Sequence, residues 1–122
     1  MPSDKRIKLL SVAESPADQE MGLQFVHSLP AMTGMLFSFA APRVLSFWMK
    51  NTYVPLDIAF VNKDGVIIKT EQMIPLSLRT VSSGSPCVMA LEVPAGTFQK
   101  LGGVVGKKLA LSEDRDFVFI ND

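Results

Sequence analysis

Residues 43–69 read RVLSFWMKNTYVPLDIAFVNKDGVIIK, and the way this stretch alternates decides the fold. In an extended chain, side chains point to opposite faces with a period of two. Leu45, Phe47 and Met49 therefore share one face of a strand running from Val44 to about Lys50, and Ser46, Trp48 and Lys50 share the other. Pro55 interrupts the run. Leu56, Ile58 and Phe60 then alternate with Asp57, Ala59 and Val61, and Asn62-Lys63-Asp64-Gly65 supplies a tight-turn signal in which Gly65 takes the positive φ. Val66 to Glu71 is the return strand. The stretch is a β-hairpin with a polar cluster at its mouth.

Working outward, residues 5–13 alternate as a first strand. Ser15-Pro16 marks a helix start, with Ser15 as N-cap and Asp18 and Glu20 near the positive end of the dipole. The spacing of Met21, Phe25 and Leu29 predicts a helix over about 16–26. Residues 34–39 form the next strand, which Ala41-Pro42 should end. Residues 74–86, IPLSLRTVSSGSP, read as loop, and Cys87 to Val93 reads as a strand with Val88, Ala90 and Glu92 on one face. Pro94 opens a second short helix that Gly102-Gly103 stops, and two strands close the chain at about 107–112 and 116–121. About eight short strands with a turn signal every 8–12 residues predict a mainly β, compact sandwich- or barrel-like single domain with two short helices. Its span is 1–122, with the core at about 5–121.

Twelve basic residues balance twelve acidic ones, so there is no electrostatic excess to recruit nucleic acid or an anionic membrane. Cys87 is the only cysteine and His27 the only histidine. These counts exclude an intrachain disulfide, a thiolate metal site and a multi-histidine metal site. No cofactor and no metal are expected. No run approaches the ~18–20 apolar residues of a membrane span, and MPSDKRIKLL at the N-terminus has no apolar leader core, so a soluble chain is expected.

Several motifs resemble one prokaryotic family. GLQF at 22–25, SLP at 28–30, GMLFSF at 34–39, LSFWMKNT at 45–52, PLDIAF at 55–60 and ALEVPAG at 90–96 are similar, in order, to the domain-of-unknown-function family numbered 192 (DUF192). The likeness covers roughly residues 5–120. It implies a compact, mainly β domain of sandwich or barrel type, and for many bacterial relatives it implies export behind a removed signal peptide, hence an exported or periplasmic setting by analogy. It implies no activity. Gln24 and Lys107 depart from the family pattern, which usually has Met and an acid there.

The alternation suggests where chemistry could sit. Trp48 and Lys50 share a strand face, Asp57 lies on the polar side of the next strand, and Glu92 on the polar side of a third. If those strands are neighbours, one surface holds an indole, an ammonium and two carboxyls, with Asn51 and Thr52 adding hydrogen bonds. That mixture suits a small polar molecule, with carbohydrate the first class to test. The expected ligand-binding set is Trp48, Lys50, Asn51, Thr52, Asp57 and Glu92. The same residues also admit a structural reading: a Lys50–Asp57 ion pair, turn bonds from Asn51 and Thr52, a core Trp48, and Glu92 capping the second helix. Two alternative functions stand beside ligand binding. One is a hydrolase or lyase using Asp57 and Glu92, the other a protein-interaction domain working through the 74–86 loop. His27 reads as a partner for the first helix's C-terminal dipole, and Cys87 as a small core hydrophobe.

Overall fold

The computed structural model describes residues 5–122; the first four residues of the expected 1–122 span lie outside the described residues. Seven strands and two short helices follow in the order β1 (Arg6–Ala13), α1 (Pro16–Met21), β2 (Thr33–Phe47), β3 (Leu56–Val61), β4 (Ile67–Met73), β5 (Val81–Pro94), α2 (Thr97–Lys100), β6 (Lys108–Leu111) and β7 (Phe117–Asn121). All seven strands lie in one sheet of order β4-β3-β5-β2-β1-β7-β6. Only β1 and β2 pair in parallel, and the chain passes between them through α1. The sheet curls into a half-barrel.

The curl is held where its two edge strands meet. Val66 bridges Lys108, the Ile67 N–H donates to the Lys107 carbonyl at 2.9 Å, and the Leu109 N–H donates to the Gly65 carbonyl at 2.8 Å. Pairing the edges in this way occupies backbone groups that would otherwise recruit another chain. The 62–65 turn that delivers Gly65 is fixed by Asn62, whose Oδ1 accepts from the Asp64 and Val66 N–H groups, and by Gly65 at φ +80°.

Two apolar clusters form on the two faces. The inner cluster draws on every strand, with Ile7, Leu36, Ala59, Ile67, Leu91, Leu109 and Val118, and is plugged by Phe98 of α2. The outer cluster lies on β2, β3, β4 and β5, around Phe37, Leu45, Ile58, Phe60, Met73 and Ala90. Leu23, Val26 and Leu29, from the chain after α1, cover it.

Three boundaries differ from the sequence reading. The first helix ends at Met21 rather than 26, because Gly22 adopts φ +50° and its N–H bonds the Asp18 carbonyl; Ser15 does cap its start, accepting from the Asp18 N–H at 3.1 Å. The strands expected at 34–39 and 44–50 are one continuous β2. Between Ser38↔Met89 and Arg43↔Cys87 the register shifts by three residues, so Ala41-Pro42 sits in a bulge where the missing proline N–H breaks no ladder bond. Finally, 81–86 is not loop but the first half of β5, paired with the end of β2. Ser83 makes that pairing possible: its Oγ accepts from the Leu45 N–H and donates to the Ser85 carbonyl, each at 2.8 Å.

Candidate functional site

On β5, Leu91 and Val93 enter the inner cluster, so Glu92 between them must face the outer side. It stands opposite Met35 of β2 and Ile58 of β3. The strands run close here: a Cβ on Gly34 would come within 2.5 Å of the Glu92 carbonyl oxygen, so only glycine fits. Glu92 is 4% exposed.

Its side chain reaches the floor of a cavity of about 350 Å³ between the α1 region and the second half of β2. Leu23, Phe37, Leu45 and Phe47 form the apolar part of its lining, beside the polar Gln19, Gln24 and Thr52, with the Phe37 and Phe47 rings edge to face at 4.9 Å. The rim carries Met21, Phe39, Ser46 and Trp48, with Trp48 44% exposed. Gln19 pins α1 to the sheet by donating from Nε2 to the Ser38 carbonyl at 2.8 Å. Glu20 of α1 and Arg43 of β2 also line the cavity, and the Arg43 guanidinium lies 4.8 Å above the Phe39 ring.

No hydrogen-bond donor and no cation among the described residues meets the Glu92 carboxyl. Removal from water alone pushes its pKa up from 4.5 to about 8. Near neutral pH this group is chiefly a protonated acid that can both donate and accept. No sealed side-chain nitrogen or oxygen among the described residues lacks a hydrogen-bond partner, so the Glu92 oxygens, which have no protein partner, open onto the cavity.

The structure brings Trp48, Thr52 and Glu92 to this one cavity and sends the other expected residues elsewhere. Thr52 is buried, its hydroxyl donating to the Lys50 carbonyl at 3.2 Å. Lys50 points outward, its ammonium 5.3 Å from the Trp48 ring centroid. Asn51 adopts φ +57° and its carbonyl accepts from the Phe25 N–H at 2.8 Å, tying down the turn after α1. Asp57 is on the opposite face of the sheet, since its neighbour Ile58 is the one that pairs with Glu92. Its carboxylate accepts from the Gly96 N–H at 2.8 Å and so holds the turn into α2. Asp57 and Glu92 therefore do not converge on one substrate. The expected Lys50–Asp57 ion pair is replaced by Lys50 over Trp48, and the role expected of Glu92 near α2 belongs to Asp57.

The wall residues Phe37, Phe47, Leu23 and Gln19 were not expected at the site. Their signal lay in pairing: Met35↔Glu92 puts Phe37, two residues along, on the Glu92 face. His27 is not at a helix end; it is exposed and stacks on Tyr53 at 4.8 Å. Cys87 is buried in the outer cluster, where burial pushes its thiol pKa up. Among the described residues no group of three His, Cys, Asp or Glu could hold a metal, and no helix is long and apolar enough to cross a membrane.

A half-barrel sheet carrying a cavity of mixed polar and apolar lining, with a buried carboxyl at its floor and Glu20 at its border, defines a mainly β domain with a candidate pocket. The chain belongs to DUF192, described as "Uncharacterized ACR, COG1430", whose model matches residues 2–111. Among solved structures it is similar to a Sinorhizobium meliloti 1021 protein provisionally called a transcription regulator, with 38% identity and TM-score 0.77 over 80% of this chain and 76% of that one. It is also similar to a Novosphingobium aromaticivorans DSM 12444 protein of unknown function, with 33% identity and TM-score 0.77 over 80% and 71% of the two chains. None of the curated proteins matches it.

Proposed function

We propose that the protein is a binding module for a small polar molecule, seated in the cavity floored by Glu92 and opened to solvent beside Trp48. The observation that carries this reading is the buried carboxyl without a protein partner, aimed into a preformed space. The cavity volume is near the lower end of the roughly 300–1,000 Å³ common for ligand sites, which suits a compact ligand. Carbohydrate is the first class to test. The half-exposed indole offers a face for sugar C–H groups, and a protonated Glu92 can donate to one hydroxyl and accept from another.

Thermal-shift screening of a metabolite and glycan panel against wild type, Trp48→Ala and Glu92→Gln tests the proposal. A ligand of the native state alone adds RT ln(1 + [L]/Kd), about 2.7 kcal/mol at 100 times Kd. The expected result is a ligand whose stabilisation shrinks in both variants. A ligand that stabilises both variants as much as wild type would place its site elsewhere.

A hydrolase or lyase reading would have to rest on Glu92 without Asp57. The second acid lining the cavity is the exposed Glu20 of α1, not the expected partner Asp57, which favours binding over the two-acid mechanism drawn from Asp57 and Glu92. The description of the Sinorhizobium neighbour as a regulator would call for a basic face if DNA were contacted, and a chain of zero formal charge offers no such excess. A protein-docking reading draws support from the segment before β5, where Ile74, Leu76 and Leu78 are all exposed. Loss of a partner on Ile74→Ser with Leu78→Ser, with ligand binding kept, would favour it.

A further inference from the structure

We infer that the group seated on Glu92 is the protonated amine of a small ligand. The inference rests on the binding reading above and narrows its chemistry. The Glu92 carboxyl has no donor among the described residues, so whatever occupies the cavity floor supplies its partner. The surfaces leading to it are aromatic: Phe37 and Phe47 form the walls and Trp48 the rim. Ring faces attract cations and have no comparable attraction for anions.

The bordering charges agree. Among the described lining residues Glu20 faces the cavity from α1 and Glu92 from β5, against the cation Arg43 on β2, while the Lys50 ammonium lies outside that lining, 5.3 Å from the Trp48 ring centroid. Arg43 is exposed and drawn onto Phe39. Asp57 of β3 faces the other side of the sheet. With Glu92 ionised the cavity border is net negative, so an ammonium would complete its pairing and an anion would be repelled. Burial holds the free carboxyl at about 8, so taking up an ammonium near neutral pH shifts Glu92 to its ionised form and releases its proton to solvent.

Calorimetric titration with matched probes, cyclohexylamine, which is fully protonated at the assay pH, against cyclohexanol, tests this at about pH 7.5 in two buffers of different ionisation enthalpy. The expected result is amine binding about tenfold or more tighter than the alcohol partner, with release of most of one proton, and loss of that preference in Glu92→Gln. Proton release is read on wild type and needs no variant. Equal affinity of amine and alcohol would overturn the amine assignment and leave the small-molecule reading standing. A preference that survives Glu92→Gln, or amine binding without proton release, would overturn it as well. If neither probe class binds while the wider panel gives a Glu92-dependent ligand without an amine, only the amine assignment falls; if no panel member binds, both readings fall.

Discussion

Replacing Glu92 by Gln should stabilise the protein increasingly as pH rises. The amide keeps the shape of a protonated acid and cannot ionise. In wild type the folded-state pKa is about 8 and the unfolded value near 4.5, so the folded state binds the extra proton between those values. For an acid whose pKa is raised by folding, stability is fully present below about pH 4.5, falls as pH rises, and stops falling above about pH 8. Each pH unit inside the window costs about 1.4 kcal/mol. Between about pH 6 and pH 8 the stability difference, Glu92→Gln minus wild type, should therefore grow by about 2 kcal/mol, the last part of the slope being lost as the folded group begins to titrate. Other titrating groups are shared by the two proteins and cancel. The assay is urea unfolding of both proteins at several pH values at constant ionic strength. A difference that stays flat across this range would mean that Glu92 is solvated or paired, and would refute the reasoning.

Gly34→Ala should destabilise by about 1–3 kcal/mol, the usual cost of overpacking, because its Cβ would meet the Glu92 carbonyl oxygen at 2.5 Å; an unchanged urea midpoint would contradict the close strand approach. Asp57→Ala removes the acceptor of the Gly96 N–H and should cost about 1–3 kcal/mol, while ligand affinity in the Glu92 cavity stays at the wild-type value; a large loss of affinity would put Asp57 at the site after all. Ser83→Ala leaves the Leu45 N–H without its partner, at about 1–3 kcal/mol. Its signature is faster hydrogen exchange at the Leu45 amide, and unchanged exchange would show that the hydroxyl is dispensable.

The mainly β class was legible because alternation and turn chemistry agreed: the 62–65 hairpin forms where Asn62 and Gly65 indicated, and Ser15 caps the first helix. What failed were positions where one residue overrode a local trend. Gly22 stops a helix whose apolar spacing ran on, and the bulge absorbs Pro42. Ser83 turns a Ser-Gly-Pro-rich stretch into strand by lending its hydroxyl to the ladder.

The residues around the candidate cavity were legible only in part, for a related reason. Trp48, Thr52 and Glu92 border the cavity, while Asp57 does not. Alternation within a strand says which residues share a face, but not which face of one strand continues onto the next. That depends on register, and register places Ile58 rather than Asp57 beside Glu92. The wall residues Phe37 and Phe47 looked like ordinary core, and Phe37 is a member of the outer cluster with Phe47 packed against it.

The most direct measurement is the side-chain carboxyl titration of Glu92 followed by carbon NMR, in the free protein and with a bound ligand. The account predicts a midpoint near 8 without ligand and a fall toward the ordinary carboxylate range when an ammonium occupies the cavity. A midpoint near 4.5 in the free protein would mean that this carboxyl already has water or a partner, and would contradict the account.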